Sequence, residues 1–349
     1  MNQRPHSAQP PIDLRLPRRP RLIFGIGAFQ RTRTEVQVGL DPRHAVVIRD
    51  LPAKLARMLC SLDGTARLPA LLDRVGSDHA DLLRGLLAEL TGRGLIDDAA
   101  DFAARNGPAD AGLLALRAGA PPDAVSARLS HAAVVVHGEG RLAVTVAMLL
   151  AGAGIGRVIP EAAGTVTEPE AGCGFLHGDV GHPRRHAMIE AIGRANPATR
   201  TRPLIADRNP DLVVLTDSVV PTPELVSGLM CEQLPHLPVR VRDGIGIVGP
   251  LILPGRTSCL HCADLYRAGF DRCWPRVANQ LAGRRGLADP SSTQATAALA
   301  VGQILRTVVD LRSRSPLWNS TLEIDVHHGT LRHRPWSPHP RCGCEAACA

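Results

Sequence analysis

Two cysteine pairs stand about eighty residues apart: Cys259 and Cys262 in "CLHC", then Cys342 and Cys344 in "HPRCGC". No other feature limits the possible folds as much, because four thiolates sharing one ion would tie the last segment to a domain begun far upstream. Four sulfur donors suit a closed, tetrahedral zinc site of the structural kind, whereas a catalytic zinc keeps one position open. Binding of such an ion adds directly to folding stability. The alternative is two unrelated thiol pairs in a reducing compartment. His261, His339 and Cys348 stand close by as substitute donors, and none improves on the four.

Nine cysteines behind an N-terminus without an apolar signal core argue for thiols and metal ligands rather than a disulfide framework. A cytoplasmic location is the expectation that follows. Residues 1–20, "MNQRPHSAQPPIDLRLPRRP", are rich in Pro and Arg and are expected to be disordered. No apolar run reaches the length of a membrane span. At 349 residues and 44% hydrophobic content the chain can build two domains, but with 3% aromatics the cores must come from Leu, Val, Ile and Ala. The 40 basic residues include a single lysine, Lys54, and the net charge of +7 is spread along the chain as a solvated surface would carry it.

Residues 21–101 read as one small α+β unit. "RLIFGIGAF", "EVQVGL" and "HAVVIRDL" are short β-rich runs, followed by helical patterns in "PAKLARMLCSL", "RLPALLDRV" and "HADLLRGLLAELTGRGL". In the last of these Leu82, Leu83, Leu86, Leu87 and Leu90 share one helix face, and Gly94 suits its C-cap. Strands followed by three helices predict a winged-helix-like module. Residues 102–130, rich in Ala, Gly and Pro, read as a linker with one weak helix. From 131 to 349 the pattern becomes strand, Gly-rich turn, helix, strand. "HAAVVV", "RVIP" and "DLVVLTD" are short apolar strands, and "LAVTVAMLLAGAG" is the helix after the first. This alternation predicts a doubly wound α/β domain. Within "GEGRLA", Gly138, Gly140 and Ala143 hold the three small-residue positions of a nucleotide-binding fingerprint, in the strand–turn–helix setting it requires.

Taken together, "VVVHGEGRLAVTVAMLLAGAGIGRV", "DVGHPRRHAMIEAIGRANP", "PDLVVLTDS", "GIGIVGPLILPGRTSCLHC" and "HPRCGC" resemble, in order and spacing, the ThiF and ubiquitin-activating-enzyme-like adenylyltransferases. The resemblance covers about 130–345 and implies a Rossmann-like ThiF-type domain, an ATP and magnesium site, a four-cysteine zinc site and a homodimer. It places Asp217 as the magnesium-binding acid, with Ser218 where Asn is usual, and Arg184 where the ATP-pocket lysine is usual. Glu161 falls only approximately at the ribose-binding acid. The segment "EAAGTVTEPEAGCGFLHGD" contains no arginine, although the family reaches the phosphates with one there. Arginine for lysine alters geometry, and loss of a second cation leaves phosphate charge poorly stabilised. An eroded adenylation site is the expectation.

The first module, with "LDPRHAVVIRDLP", "SLDGTARLPALL" and "LLAELTGRGLIDD", resembles a PqqD-like leader-peptide-recognition domain. The pairing of the two resembles the leader-binding partner of YcaO cyclodehydratases, which form thiazolines and oxazolines. It implies that a precursor-peptide leader adds a strand at the edge formed by Val46 and Ile48 and packs against the helix of Leu83 and Leu87. The rival is an active adenylyltransferase acting on a peptide C-terminus. A DNA-binding role is disfavoured, since the last helix sets Asp78, Asp81 and Glu89 against Arg84 and Arg93. Of the remaining cysteines, Cys60 and Cys231 read as core. Cys173 and Cys273 are the candidates for a thioester-forming nucleophile, though nothing in the sequence activates them.

Overall fold

The computed structural model describes residues 16–100, 111–205, 208–286, 288–310 and 314–344. The chain forms two compact units that divide after Ser126. Most of the N-terminal stretch expected to be disordered, residues 1–15, lies outside the described residues, as does Cys348.

The first unit runs β1 (Pro20–Leu22), β2 (Ala28–Thr32), β3 (Glu35–Val38), β4 (Val46–Ile48), α1 (Ala53–Leu59), α2 (Leu68–Val75), α3 (Ser77–Gly92) and β5 (Ile96–Asp98). The run at 21–29 is not one strand. Gly25 turns the chain at φ +85°, a value that costs glycine nothing, and the two halves join different sheets. β1 pairs antiparallel with β5, while β2, β3 and β4 form a three-stranded antiparallel sheet in that order. Leu83, Leu86, Leu87 and Leu90 of α3 pack with Val36, Val38, Leu55, Leu59 and Leu71. Burial of each such leucine contributes about 1.5–3 kcal/mol. Beyond α3 the Leu95 N–H donates back to the Leu90 carbonyl at 2.9 Å, closing the helix around Gly94. Two helices follow, α4 (Ala111–Ala118) and α5 (Pro122–His131), where the composition read as a linker with one weak helix. Ala115 and Leu116 are buried, so this stretch carries packed structure despite its Ala, Gly and Pro content.

The second unit holds a seven-stranded mixed sheet. Its strands are β6 (Ala133–His137), β7 (Arg157–Glu161), β8 (Leu212–Thr216), β9 (His236–Arg242), β10 (Ile245–Val248), β11 (Ser320–Asp325) and β12 (Thr330–Pro335), in the order β12-β11-β10-β9-β8-β6-β7. β7, β6, β8 and β9 are parallel; β9 to β12 form an antiparallel extension. The helices are α6 (Arg141–Gly152), α7 (Arg184–Ala195), α8 (Pro223–Cys231), α9 (Leu260–Phe270), α10 (Trp274–Leu281) and α11 (Pro290–Val309). On one face α6 packs against α7 and α11, and α11 lies along β9, β10 and β11. On the other, Leu225 and Leu229 of α8 meet Val135, Ile159, Val213 and Leu215. With helices on both faces, the two central parallel strands are apolar along nearly their whole length, as "AVVV" of β6 and "LVVL" of β8 are. The architecture is the doubly wound α/β fold expected, with a small α+β unit ahead of it. Among the described residues, no helix is long and apolar enough to cross a membrane.

Candidate functional site

The turn between β6 and α6 meets the end of β8. A Cβ on Gly138 would stand 1.9 Å from Thr216 Oγ1 and 2.7 Å from Asp217 Oδ2, and one on Gly140 would stand 2.8 Å from Asp217 Oδ1. The glycines are therefore required by neighbours within the chain itself, Gly138 by Thr216 and Asp217 and Gly140 by Asp217. Asp217, in a left-handed conformation at φ +66°, points its carboxyl into the turn. Oδ2 accepts the N–H groups of Glu139 at 3.0 Å and Gly140 at 2.8 Å, and the Thr216 hydroxyl at 3.0 Å. These turn N–H groups, at the start of a helix, are the donors that would cradle a phosphate. Burial raises the Asp217 pKa despite the opposing pull of the Gly140 N–H, the Thr216 hydroxyl and the Glu139 N–H.

Beside this turn lies a cavity of about 420 Å³, lined by Gly140, Arg141, Glu170, Arg184, Asp217 and Arg285 among others. Arg184, the first residue of α7, is 5% exposed and donates from Nη2 to both Glu170 oxygens at 3.1 and 2.9 Å, and from Nη1 to the Ala163 carbonyl at 2.9 Å. Arg285 donates to Glu170 Oε1 at 3.0 Å, and Glu139 stands 3.8 Å from Arg184 and 3.6 Å from Arg285. Burial raises the Glu170 pKa, but Arg184 and the Thr167 hydroxyl and N–H outweigh it, so the net shift is downward. The stretch 161–179, which lacks an arginine, is thus met by a cation from elsewhere: Arg285, in "AGRRGLADP". Nothing in the sequence links it to Glu170, 115 residues upstream. Thr293, in the first turn of α11, also lines the cavity, and its buried hydroxyl has no hydrogen-bond partner among the described residues.

Of the expected nucleotide residues, Gly140, Arg184 and Asp217 line this cavity. Gly138 shapes the turn, and Ala143 is buried in α6. Glu161 does not reach it: at the end of β7 it stands 3.4 Å from His137 Nδ1 and borders a different hollow, with Pro203 and Arg208.

The cysteine pairs do converge. Cys259 Sγ lies 3.8 Å from Cys262 Sγ and 3.4 Å from Cys342 Sγ, and Cys262 Sγ lies 3.5 Å from Cys344 Sγ. All four sulfurs fall within 4.8 Å of one another and are placed to hold a metal ion. The His339 N–H donates to Cys262 Sγ at 3.3 Å, and the Tyr266 ring meets His339 edge-on, which seats the final segment. Burial, together with Cys262 and Cys259, pushes the Cys344 thiol up to about 12. Burial and the neighbouring sulfurs also raise Cys342. Four thiols this close cannot all ionise unless a cation joins them.

In the first unit Val46 and Ile48 are half-buried on β4, whose only partner strand among the described residues is β3. Leu83 and Leu87 are not a peptide-facing wall; both are 0% exposed because that side of α3 is the core. Leu82, 45% exposed, is the leucine α3 offers to solvent. Cys60 and Cys231 are exposed rather than core, since α1 ends one residue before Cys60 and Leu229 takes the packing position near the end of α8. Cys273 is exposed at the start of α10, and Cys173 is half-buried.

Fold and site together define a class: a doubly wound α/β unit with a four-cysteine cluster and an arginine-lined cavity at its Gly-rich turn, preceded in the chain by a small α+β unit. No protein-family model matches the sequence, and no curated protein does. Solved structures share the fold. E. coli MccB with ATP is 16% identical, with a TM-score of 0.64 over 93% of this chain and 99% of that one. The microcin C7 biosynthetic enzyme MccB in complex with N-formylated MccA is 16% identical, with a TM-score of 0.66 over the same shares. A heterocyclase in complex with substrate and cofactor is 14% identical, with a TM-score of 0.62 over 93% of this chain and 39% of that one.

Proposed function

We propose that the protein serves the modification of a ribosomally made peptide: its first unit binds the leader, and the chain presents the peptide to a YcaO-type cyclodehydratase without activating it. The observation that carries this reading is the internal closure of the nucleotide site. The Asp217 carboxyl occupies the turn N–H groups, and Glu170 holds both Arg184 and Arg285. A triphosphate entering the cavity would have to displace a buried carboxylate from two arginines, and breaking a buried pair costs about 3–5 kcal/mol. The likeness to the MccB structures and to a heterocyclase supports a ThiF-like protein of peptide modification. The exposed edge of β4 supports strand addition by a leader in the PqqD-like manner. The homodimer belongs to the same proposal.

The rival reading, an active adenylyltransferase, draws on the cavity itself, where two arginines and the unpartnered Thr293 hydroxyl are grouped as anion donors. Pyrophosphate exchange separates the two.

The cysteine centre is proposed to hold structural zinc. Tetrahedral zinc with bonds of about 2.3 Å places its sulfurs about 3.8 Å apart, near the spacings seen here. Its chemistry there is structural: no ligand position is left open for a reactant.

Fluorescence polarisation of a labelled leader on the full chain tests leader binding. Micromolar or tighter affinity is expected, unchanged by Asp217→Ala. No binding, or binding lost in that variant, would remove the proposed division of labour.

A further inference from the structure

Outside the nucleotide-type cavity the second unit holds a larger one, about 520 Å³, between α8, α9 and α10, with Cys259, Cys342 and Cys344 in its wall. Its lining is mainly apolar: Val226 and Met230 of α8, Leu260 and Leu265 of α9, Trp274 and Ala278 of α10. Arg240 of β9 reaches the same space and is 5% exposed. Its Nη1 is buried with no hydrogen-bond partner, and the guanidinium forms no ion pair among the described residues. The acids nearest to balancing it are engaged elsewhere. Asp264 accepts Arg267 Nη1 at 2.9 Å and the Trp274 indole N–H at 3.0 Å, and Glu323 pairs with Arg334 at 3.5 Å. Burial, with repulsion from Arg267 and Arg242, pulls the Arg240 pKa down to about 9. It therefore remains a cation at neutral pH.

A buried charge is costly unless something pairs with it. Arg267 and Asp264 also line the space but hold each other at 2.9 Å, so an apolar chamber with one unpaired guanidinium has the make-up of a ligand site: the walls accept a hydrophobic body, and the unpaired cation fixes a headgroup. Guanidinium geometry favours a planar two-oxygen acceptor, which a carboxylate supplies. We infer that this cavity binds a carboxylate carried on an apolar body, with its oxygens on Arg240 and its body against Met230, Leu265 and Trp274. The inference is independent of leader binding and of the nucleotide cavity, with which this site shares no lining residue.

Titration calorimetry on the full chain tests it, using octanoate, phenylacetate and the tripeptide Ala-Ala-Phe, each as free acid and as amide. Binding of at least one acid is expected, with its amide at least tenfold weaker. Preference for the small acids marks a free ligand; preference for the tripeptide marks a peptide C-terminus. Arg240→Met keeps the volume and removes the charge, so it should fold with an equal or higher melting temperature and bind the acid at least tenfold more weakly. Metal content is measured on the same samples and should not change. Three results would overturn the inference: no acid preferred over its amide, an Arg240→Met chain that binds as well as the parent, or a variant that loses its metal while the parent binds no acid. In the last case Arg240 serves only to balance the cysteine centre.

Discussion

Asp217 and Glu170 are both buried carboxyls, yet they respond to pH in opposite directions. Glu170 has its pKa lowered from 4.5 by Arg184 and Thr167. Its stabilisation is complete above that value and is lost as pH falls through the folded pKa. Asp217 has its pKa raised from 3.8 by burial. Its contribution is greatest below 3.8 and is lost as pH rises through the folded pKa. Asp217→Asn keeps an uncharged acceptor in the turn, so its melting temperature relative to the parent should improve from pH 4 to pH 8; a constant difference would show that the carboxyl does not titrate in this range. Glu170→Gln should behave in the opposite way. It leaves Arg184 buried without its partner, so at pH 7 urea unfolding should show a loss of about 3 kcal/mol. That deficit should shrink in acid. If Glu170 closes the nucleotide cavity, the same variant should bind magnesium ATP more tightly than the parent by calorimetry. Weaker binding would make Glu170 a part of a working site.

At the scale of elements, two segments matter most: the C-terminal cysteine stretch and an edge strand. The first is "HPRCGC", a stretch with no regular structure of its own that is held by its sulfurs and by the His339 contacts. One tightly held zinc per chain is expected in protein purified without added metal. Cys342→Ser should lower both that stoichiometry and the melting temperature while leaving leader affinity unchanged. A chain without metal, whose variant melts as the parent does, would leave the four sulfurs as thiols only. The second segment is β4. An added strand pairs through alternate residues, so N-methylation of alternate leader amides should weaken binding at least tenfold in one register and little in the other. Equal effects in both registers would show that the leader binds by its side chains alone.

Across the whole chain, what the sequence revealed depended on how local the signal was. The strand–turn–helix at 131–152 and the two cysteine spacings are short-range patterns, and the fold follows them. The Leu83 and Leu87 periodicity correctly marks a buried helix face, but the same burial withholds those residues from a ligand. Arg285 was beyond reach because its partner Glu170 is set by tertiary structure alone. Thr293 and Arg240 are likewise ordinary strand and helix residues until burial leaves them without partners. The glycines of "GEGRLA" held the subtlest difference: their spacing suits a phosphate, and in the structure the Glu139 and Gly140 N–H groups donate to the Asp217 carboxyl.

The chain is proposed to bind a leader and not to activate it. Pyrophosphate exchange in the full-length protein, with magnesium ATP and a saturating concentration of the leader-bearing peptide, addresses this most directly. No incorporation of labelled pyrophosphate into ATP above the protein-free blank is expected. Peptide-dependent exchange that disappears in Asp217→Ala would contradict the account and establish the chain as an adenylyltransferase.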